Sequence, residues 1–181
     1  MRKNFCLLMA LMLFAMLFTS SAQEKRYEVY SVGFYNLENL FDTIHDPGKN
    51  DYEFLPDGTN KWGTLKYVNK LKNMATVLNE MGTDVVPVGM AAVGVSEIEN
   101  SRVLADLVNH EVLAPRGWDF VHIEGPDTRG VDCALLYNPK LFKPINSVLS
   151  PYITEDNDTT YKTRGFLVVS GEMGGEVVHI I

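Results

Sequence analysis

Cysteine is almost absent. The chain has two, Cys6 and Cys133, and the first lies in an N-terminal segment read below as removed on export. A single remaining thiol excludes an internal disulfide, so stability has to come from a buried core. Cys133 sits in an apolar stretch and reads as a small packing residue. Long apolar runs are scarce as well. The longest, Phe5 to Phe18, has 14 residues, short of the ~20 that a membrane-spanning helix requires. No run of more than two basic residues occurs, and the formal net charge is −7. That counts against a pure non-specific nucleic-acid binder, which normally presents a basic face, more than against an enzyme whose metal meets the phosphate. Internal repeats and low-complexity segments are also missing.

What is present begins with Met1-Arg2-Lys3-Asn4, the apolar run, and then Thr19-Ser20-Ser21-Ala22-Gln23. A basic head, a short apolar core and small residues at Ser20 and Ala22 describe a secretory signal over residues 1–22, cut after Ala22. The expected location is periplasmic or extracellular. No cysteine stands at the cut, which argues against a lipid anchor, so no stable membrane anchor is expected. Residues 23–181 then suit one compact domain or part of a larger one. Their charge is −9, because Arg2 and Lys3 leave with the signal and 14 basic residues face 23 acidic ones. Affinity for DNA or RNA would have to be local and assisted by a cation.

Arg26 to Tyr35 is rich in Tyr, Val and Phe and predicts a first strand. Residues 42–63 carry Pro47, Gly48, Pro56, Asp57, Gly58 and Gly63, and predict a long loop of the kind that often has a function. Leu65, Val68, Leu71, Ala75 and Leu78 recur at helical spacing, and Gly82 stands where a left-handed helix end is expected. Val85 to Val95 supplies a buried strand in its later part, after Pro87 and Gly89. Ser101 to Asn109 predicts a second helix with Val103, Leu104, Leu107 and Val108 on one face. Phe120–Ile123, Val131–Tyr137, Phe166–Ser170 and Val177–Ile181 read as further strands. The order predicts a mixed sheet with helices on one face. The last strand stops without a turn or polar exit, which reads as a chain ending in mid-fold.

Two segments carry the chemistry. Tyr35-Asn36-Leu37-Glu38-Asn39 closes the first strand, and Ser96-Glu97-Ile98-Glu99-Asn100 closes the second. If the helix between them makes a right-handed crossover, both strand ends lie on one sheet edge, where open α/β sheets bind ligands. Oxygen donors delivered together there suit a hard divalent cation. Glu97 can ligate directly. Asn36 can ligate or donate to a phosphate oxygen. Glu38 shares the face of Asn36 if the strand persists, and can hold a metal-bound water. The plainer reading stays open: Asn36 as a turn residue, Glu97 and Glu99 as solvated acids opening the second helix. Arg129 and Asp132 flank Gly130 and read as a structural ion pair or a substrate contact. None of His45, His110, His122 and His179 has a sequence neighbour that suggests acid/base work.

Val32-Gly33-Phe34-Tyr35-Asn36-Leu37-Glu38-Asn39-Leu40-Phe41-Asp42 and Gly94-Val95-Ser96-Glu97-Ile98-Glu99-Asn100 resemble the opening motifs of the endonuclease/exonuclease/phosphatase superfamily. The resemblance continues through Pro126-Asp127-Thr128-Arg129-Gly130-Val131-Asp132-Cys133-Ala134-Leu135-Leu136-Tyr137-Asn138-Pro139, and is closest to secreted bacterial members. It implies an α+β fold, the DNase I-like four-layer α/β/β/α sandwich, of which this chain would hold roughly the first sheet with its inner face uncovered. It implies Mg²⁺ or Mn²⁺ at Asn36 and Glu97, with Glu38 as a supporting acid. Glu124 resembles the acid that orients a catalytic histidine, and Arg164 an arginine on the substrate phosphate. Plainer alternatives are a turn acid and a solvated edge charge. The family's later histidine loop, its Gly-Asp-x-Asn and its Ser-Asp-His do not occur here, so the attacking water lacks an evident base.

The leading expectation is therefore an exported metal-dependent phosphoesterase, a nuclease first, acting on a phosphate ester such as DNA or RNA. A phosphomonoesterase or sphingomyelinase-like hydrolase is the alternative within the same chemistry. A non-catalytic exported binding domain is the alternative outside it.

Overall fold

A computed structural model describes residues 27–156, 160 and 162–181. The segment read as a secretory signal lies outside the described residues. Among the described residues, seven strands build two sheets. The first has the order β1-β2-β4-β3 and contains β1 (Ser31–Leu40), β2 (Met90–Ile98), β3 (Asp119–His122) and β4 (Asp132–Tyr137). The second has the order β5-β6-β7, from β5 (Lys143–Ser150), β6 (Phe166–Met173) and β7 (Glu176–Ile180). Among the described residues there are also two α-helices, α1 (Thr64–Glu80) and α2 (Ser101–Val108), and short 3₁₀ turns at Tyr52–Phe54 and Ala114–Arg116.

β1 and β2 are parallel, with α1 in the crossover between them, and β2 then pairs antiparallel with β4. This is the mixed sheet that the sequence predicts. β2 reads Met-Ala-Ala-Val-Gly-Val-Ser-Glu-Ile and is buried nearly throughout, as a strand covered on both faces must be. One face packs on the helices: Val93, Val95 and Ile98 join Leu37, Leu40, Leu71, Leu78, Leu104 and Leu107 in a single core. The other face meets the second sheet through Ala92, Leu135, Phe142, Leu167 and Val169. Helices, first sheet and second sheet thus form three successive layers, in agreement with the α+β sandwich that the motifs imply.

Two expectations need correction, and one strand is additional. The inner face of the first sheet is not bare, because β5, β6 and β7 cover its β2–β4 part, while Val32 and Phe34 of the edge strand β1 remain 49% and 68% exposed. β5 was not legible in the sequence. Its Lys-Pro-Ile-Asn-Ser-Val-Leu-Ser largely alternates partly buried and exposed residues and, among the described residues, pairs with β6 alone, as an edge strand does, where proline is tolerated. The buried face of α1 is also rotated from the one predicted. Tyr67, Leu71, Ala75 and Leu78 are buried, whereas Leu65 and Val68 are 75% and 48% exposed.

The long loop is ordered by aromatic packing. Phe54 stacks on Phe41 with ring centres 4.1 Å apart and meets Trp62 edge-on at 6.0 Å, and Trp62 Nε1 donates to the Phe41 carbonyl at 2.9 Å. The loop is thereby fastened to the end of β1. Gly82 ends the α1 region with φ +70°, as expected, and Arg116 closes it by donating to the Asn79 carbonyl at 2.6 Å and the Val88 carbonyl at 3.0 Å.

Because Leu78 is 1% exposed and Leu65 is 75% exposed, Leu78→Ala should cost about 3 kcal/mol and Leu65→Ala under about 0.5 kcal/mol. Urea unfolding of the two variants reads this directly, and comparable losses would contradict the observed helix face.

Candidate metal site

The two motif-bearing strand ends meet. Asn36 stands opposite Ser96 in the parallel ladder, so Asn36 and Glu97 belong to adjacent strands one residue out of step. The ladder is irregular at just this point. From Asn36↔Ser96 to Leu40↔Ile98 the first strand advances four residues and the second two. Across the other edge of β2, Ser96↔Cys133 is followed by Ile98↔Asp132, which leaves Glu97 as the extra residue of a bulge. Glu38, Asn39 and Glu97 all have left-handed backbone, with φ of 52°, 61° and 60°. Such conformations cost about 1–3 kcal/mol at a non-glycine residue and concentrate at functional sites.

The bulge has a clear consequence. Alternation along β2 would send Glu97 to the helix-packed side after Val93 and Val95. Ile98 takes that place instead, and Glu97 is left half-buried at the sheet edge. There its Oε1 lies 3.9 Å from Nη1 of Arg164, which stands just ahead of β6. The first strand behaves similarly. Leu37 and Leu40 both enter the helix-side core, and the left-handed pair Glu38-Asn39 takes up the slack between them. Glu38 therefore stays within β1 but outside the ladder, and the alternation that would give it the face of Asn36 is broken. Its N–H donates to Asn36 Oδ1 at 2.7 Å, a local turn that fixes the amide of Asn36.

Lys70 of α1, which belongs to neither motif, joins this site. Its Nζ donates to the Glu38 carbonyl at 2.5 Å. Burial pushes its pKa below the usual lysine value, while the carboxylates of Glu38 and Glu97 act in the opposite direction.

Glu124 lies at the rim. Its Oε1 is 3.0 Å from Lys49 Nζ and its side chain is 64% exposed. Among the described residues it is paired with no histidine. Lys49 also donates to the Gly125 carbonyl at 3.3 Å, which ties the long loop to the β3–β4 connection.

The histidines are better partnered than expected. His122 is buried, with Nε2 3.0 Å from Asp132 Oδ2 and Nδ1 2.9 Å from Ser101 Oγ. Asp132 also accepts the Gly125 N–H at 2.9 Å. Asp132 thus pairs with His122, while Arg129 pairs with Asp127 at 2.9 Å. The chain Ser101–His122–Asp132 fastens α2, β3 and β4 together directly beside the Glu97 bulge. His45 Nδ1 contacts Asp51 at 2.5 Å in the long loop.

Glu99 is not a solvated acid either. It is buried, accepts the Asp42 N–H at 2.8 Å, and burial pushes its pKa up to about 8. The helix is opened by Asn100, whose Oδ1 accepts the Arg102 and Val103 N–H groups at 2.8 and 3.2 Å. Arg102 in turn pairs with Asp42, and with Asp46 at 3.1 Å.

The donor set at the strand ends is oxygen only: two carboxylates and one amide. Among the described residues no group of three or more His, Cys, Asp or Glu forms a ready cage. A sparse oxygen set fits an ion that keeps most of its waters and completes its shell with a phosphate, as Mg²⁺ does.

Replacing Glu97 by glycine relieves a left-handed residue and gives up only a half-exposed contact. Its stability should therefore stay within about 1 kcal/mol of wild type, or rise. Asp132→Ala leaves the buried His122 and the Gly125 N–H without their acceptor and should cost about 3–5 kcal/mol. Chemical unfolding checks both; a large loss in Glu97→Gly would contradict the strain at the bulge.

Comparison with known proteins adds the family. A model of the "Endonuclease/Exonuclease/phosphatase family" matches residues 31–181. Among solved structures, the crystal structure of humanized D. rerio TDP2 by 14 mutations is similar, at 16% identity and a TM-score of 0.42, over 81% of this chain and 43% of that one. This chain thus spans less than half the length of that structure's chain. Among curated proteins none matches the sequence. With the family model covering both strand-end motifs and everything after them, the chain belongs to the endonuclease/exonuclease/phosphatase family.

Proposed function

We propose that this chain carries the cation-binding side of an exported, divalent-metal-dependent phosphoesterase, and that phosphodiester bonds, as in DNA or RNA, are its substrate class. The family supports hydrolysis of phosphate esters. The observation that carries the reading is the meeting of Asn36 and Glu97 at two irregular, left-handed strand ends. The lack of a basic surface run supports recognition of the phosphate through a bound cation rather than through a cationic face.

In this reading Glu97 and Glu38 supply carboxylate oxygens and Asn36 an amide oxygen to Mg²⁺ or Mn²⁺. The ion would supply charge neutralisation and polarisation at the phosphoryl oxygen. Because the Glu38 N–H engages Asn36 Oδ1, the amide is oriented with its NH₂ left to donate to a phosphate oxygen, and the oxygen keeps a second lone pair for ligation. Arg164, paired loosely with Glu97 across the gap between the sheets, is placed to exchange that carboxylate for a phosphate.

Calorimetry with Mn²⁺ tests the reading. The wild-type chain should bind one ion per chain, and Glu97→Gln and Asn36→Ala should each weaken it by about tenfold or more. Binding that neither substitution changes would place the ion elsewhere. Equal failure of all three to bind would favour an inert exported binding domain. Hydrolysis assays on DNA, RNA, a phosphomonoester and sphingomyelin then separate a nuclease from the phosphomonoesterase and sphingomyelinase alternatives.

A further inference from the structure

The strand end that bears Asn36 and Glu38 is gripped from outside by a residue of another element. Lys70 Nζ reaches the Glu38 carbonyl at 2.5 Å from 32 residues along the chain, so this is not local turn chemistry. On its way the side chain passes Trp62, with the ammonium 5.8 Å from the ring centre. The Glu38 N–H is meanwhile held by Asn36 Oδ1 at 2.7 Å. Both polar groups of the Glu38 main chain are therefore fixed, one by Asn36 and one by Lys70. This occurs at a residue with φ 52°, followed by another with φ 61°. A left-handed non-glycine pair persists only where its surroundings over-determine it. Here those surroundings include a charge-assisted hydrogen bond, stronger than a neutral one.

The direct partner of the ammonium is the carbonyl, although both nearby carboxylates favour its charge. That distinction matters. A lysine placed only to neutralise two acids would be expected to approach an acid oxygen. A lysine placed on the main chain sets where the acids stand.

We propose that Lys70 is a positioning residue of the cation site: by holding the Glu38 carbonyl it maintains the left-handed Glu38-Asn39 step that sets Asn36 and Glu38 beside Glu97. The proposal rests on the reading that these three residues hold a divalent cation. Charge alone and positioning make opposite claims. An ammonium near an arriving dication repels it, so its removal should tighten binding. Loss of a positioning contact should loosen it. The sign of the effect decides.

The test uses the full chain as wild type, Lys70→Met and Lys70→Arg, in two arms. In the metal-free arm, amide hydrogen exchange is followed at Glu38, Asn39 and Leu40. Lys70→Met should speed it by about tenfold or more while the thermal midpoint moves by no more than about 2 °C, and Lys70→Arg should stay near wild type. In the second arm, calorimetry with Mn²⁺ should show affinity reduced by about tenfold or more in Lys70→Met and largely recovered in Lys70→Arg. Unchanged exchange in Lys70→Met overturns the proposal, and so does equal or tighter Mn²⁺ binding. A collapse of the midpoint in Lys70→Met also overturns it, because the residue would then serve the fold and not the site. If the wild-type chain takes up no Mn²⁺, the cation reading fails by itself, and the exchange arm still decides whether Lys70 holds Glu38.

Discussion

The parallel pairing of β1 with β2 is the constraint on which the rest depends. It brings residues some 60 positions apart into one ladder, and it requires the α1 crossover, whose buried face then builds the helix-side core. The same ladder cannot remain regular to its end. Leu37, Leu40 and Ile98 must all reach that core, and strict alternation would not deliver them. The irregularities at Glu38-Asn39 and at Glu97 resolve the conflict. Their by-product is the meeting of Asn36, Glu38 and Glu97 at one end of the sheet, beside Lys70 of α1. The apolar packing supplies the energy that holds three left-handed residues in place, and the site is what that strain sets up.

Electrostatics around this edge are arranged in layers. Closest to the strand ends, Glu38 and Glu97 face Lys70 and Arg164, so two acids stand against two bases. Farther out, Asp42, Asp46 and Glu99 crowd near Arg102, and burial pushes the Glu99 pKa up to about 8. The first group is the one with acid oxygens still open to a cation. The second is committed to fixing the long loop on the start of α2. On the opposite flank, Ser101–His122–Asp132 does the same for β3 and β4. The Glu97 bulge is thus clamped from both sides, consistent with a site whose geometry is set before any ligand arrives.

Much of this was legible in the residues. Periodicity located α1 and α2, apolar runs located β2, β4 and β6, and the two Asn/Glu motifs marked strand ends that the structure brings together. What escaped did so for physical reasons. β5 carries proline, asparagine and serine because it is an edge strand, and edge strands are not selected for a continuous apolar pattern. Apolar spacing alone does not locate the buried face of α1, because Leu65 and Val68 obey helical spacing while Tyr67, a residue with a polar tip, takes the buried position and reaches Asp106 at 2.7 Å. The bulges are invisible to a period-two argument, which assumes the regularity they break. Lys70, His122 and Asp132 act through partners 10 or more residues distant, and no local spacing reports such pairings.

The central claim is that Asn36, Glu38 and Glu97 share one cation. Nuclear magnetic resonance of the isotopically labelled chain titrated with Mn²⁺ tests it most directly, because the paramagnetic ion broadens only signals close to it. The account predicts that the Asn36 side-chain amide and the backbone amides of Glu38 and Glu97 vanish first, at substoichiometric Mn²⁺, with Asp42, Asp46 and Asp132 affected later. Initial broadening centred on the Asp42–Asp46–Asp51 loop, with Asn36 and Glu97 still sharp, would contradict it.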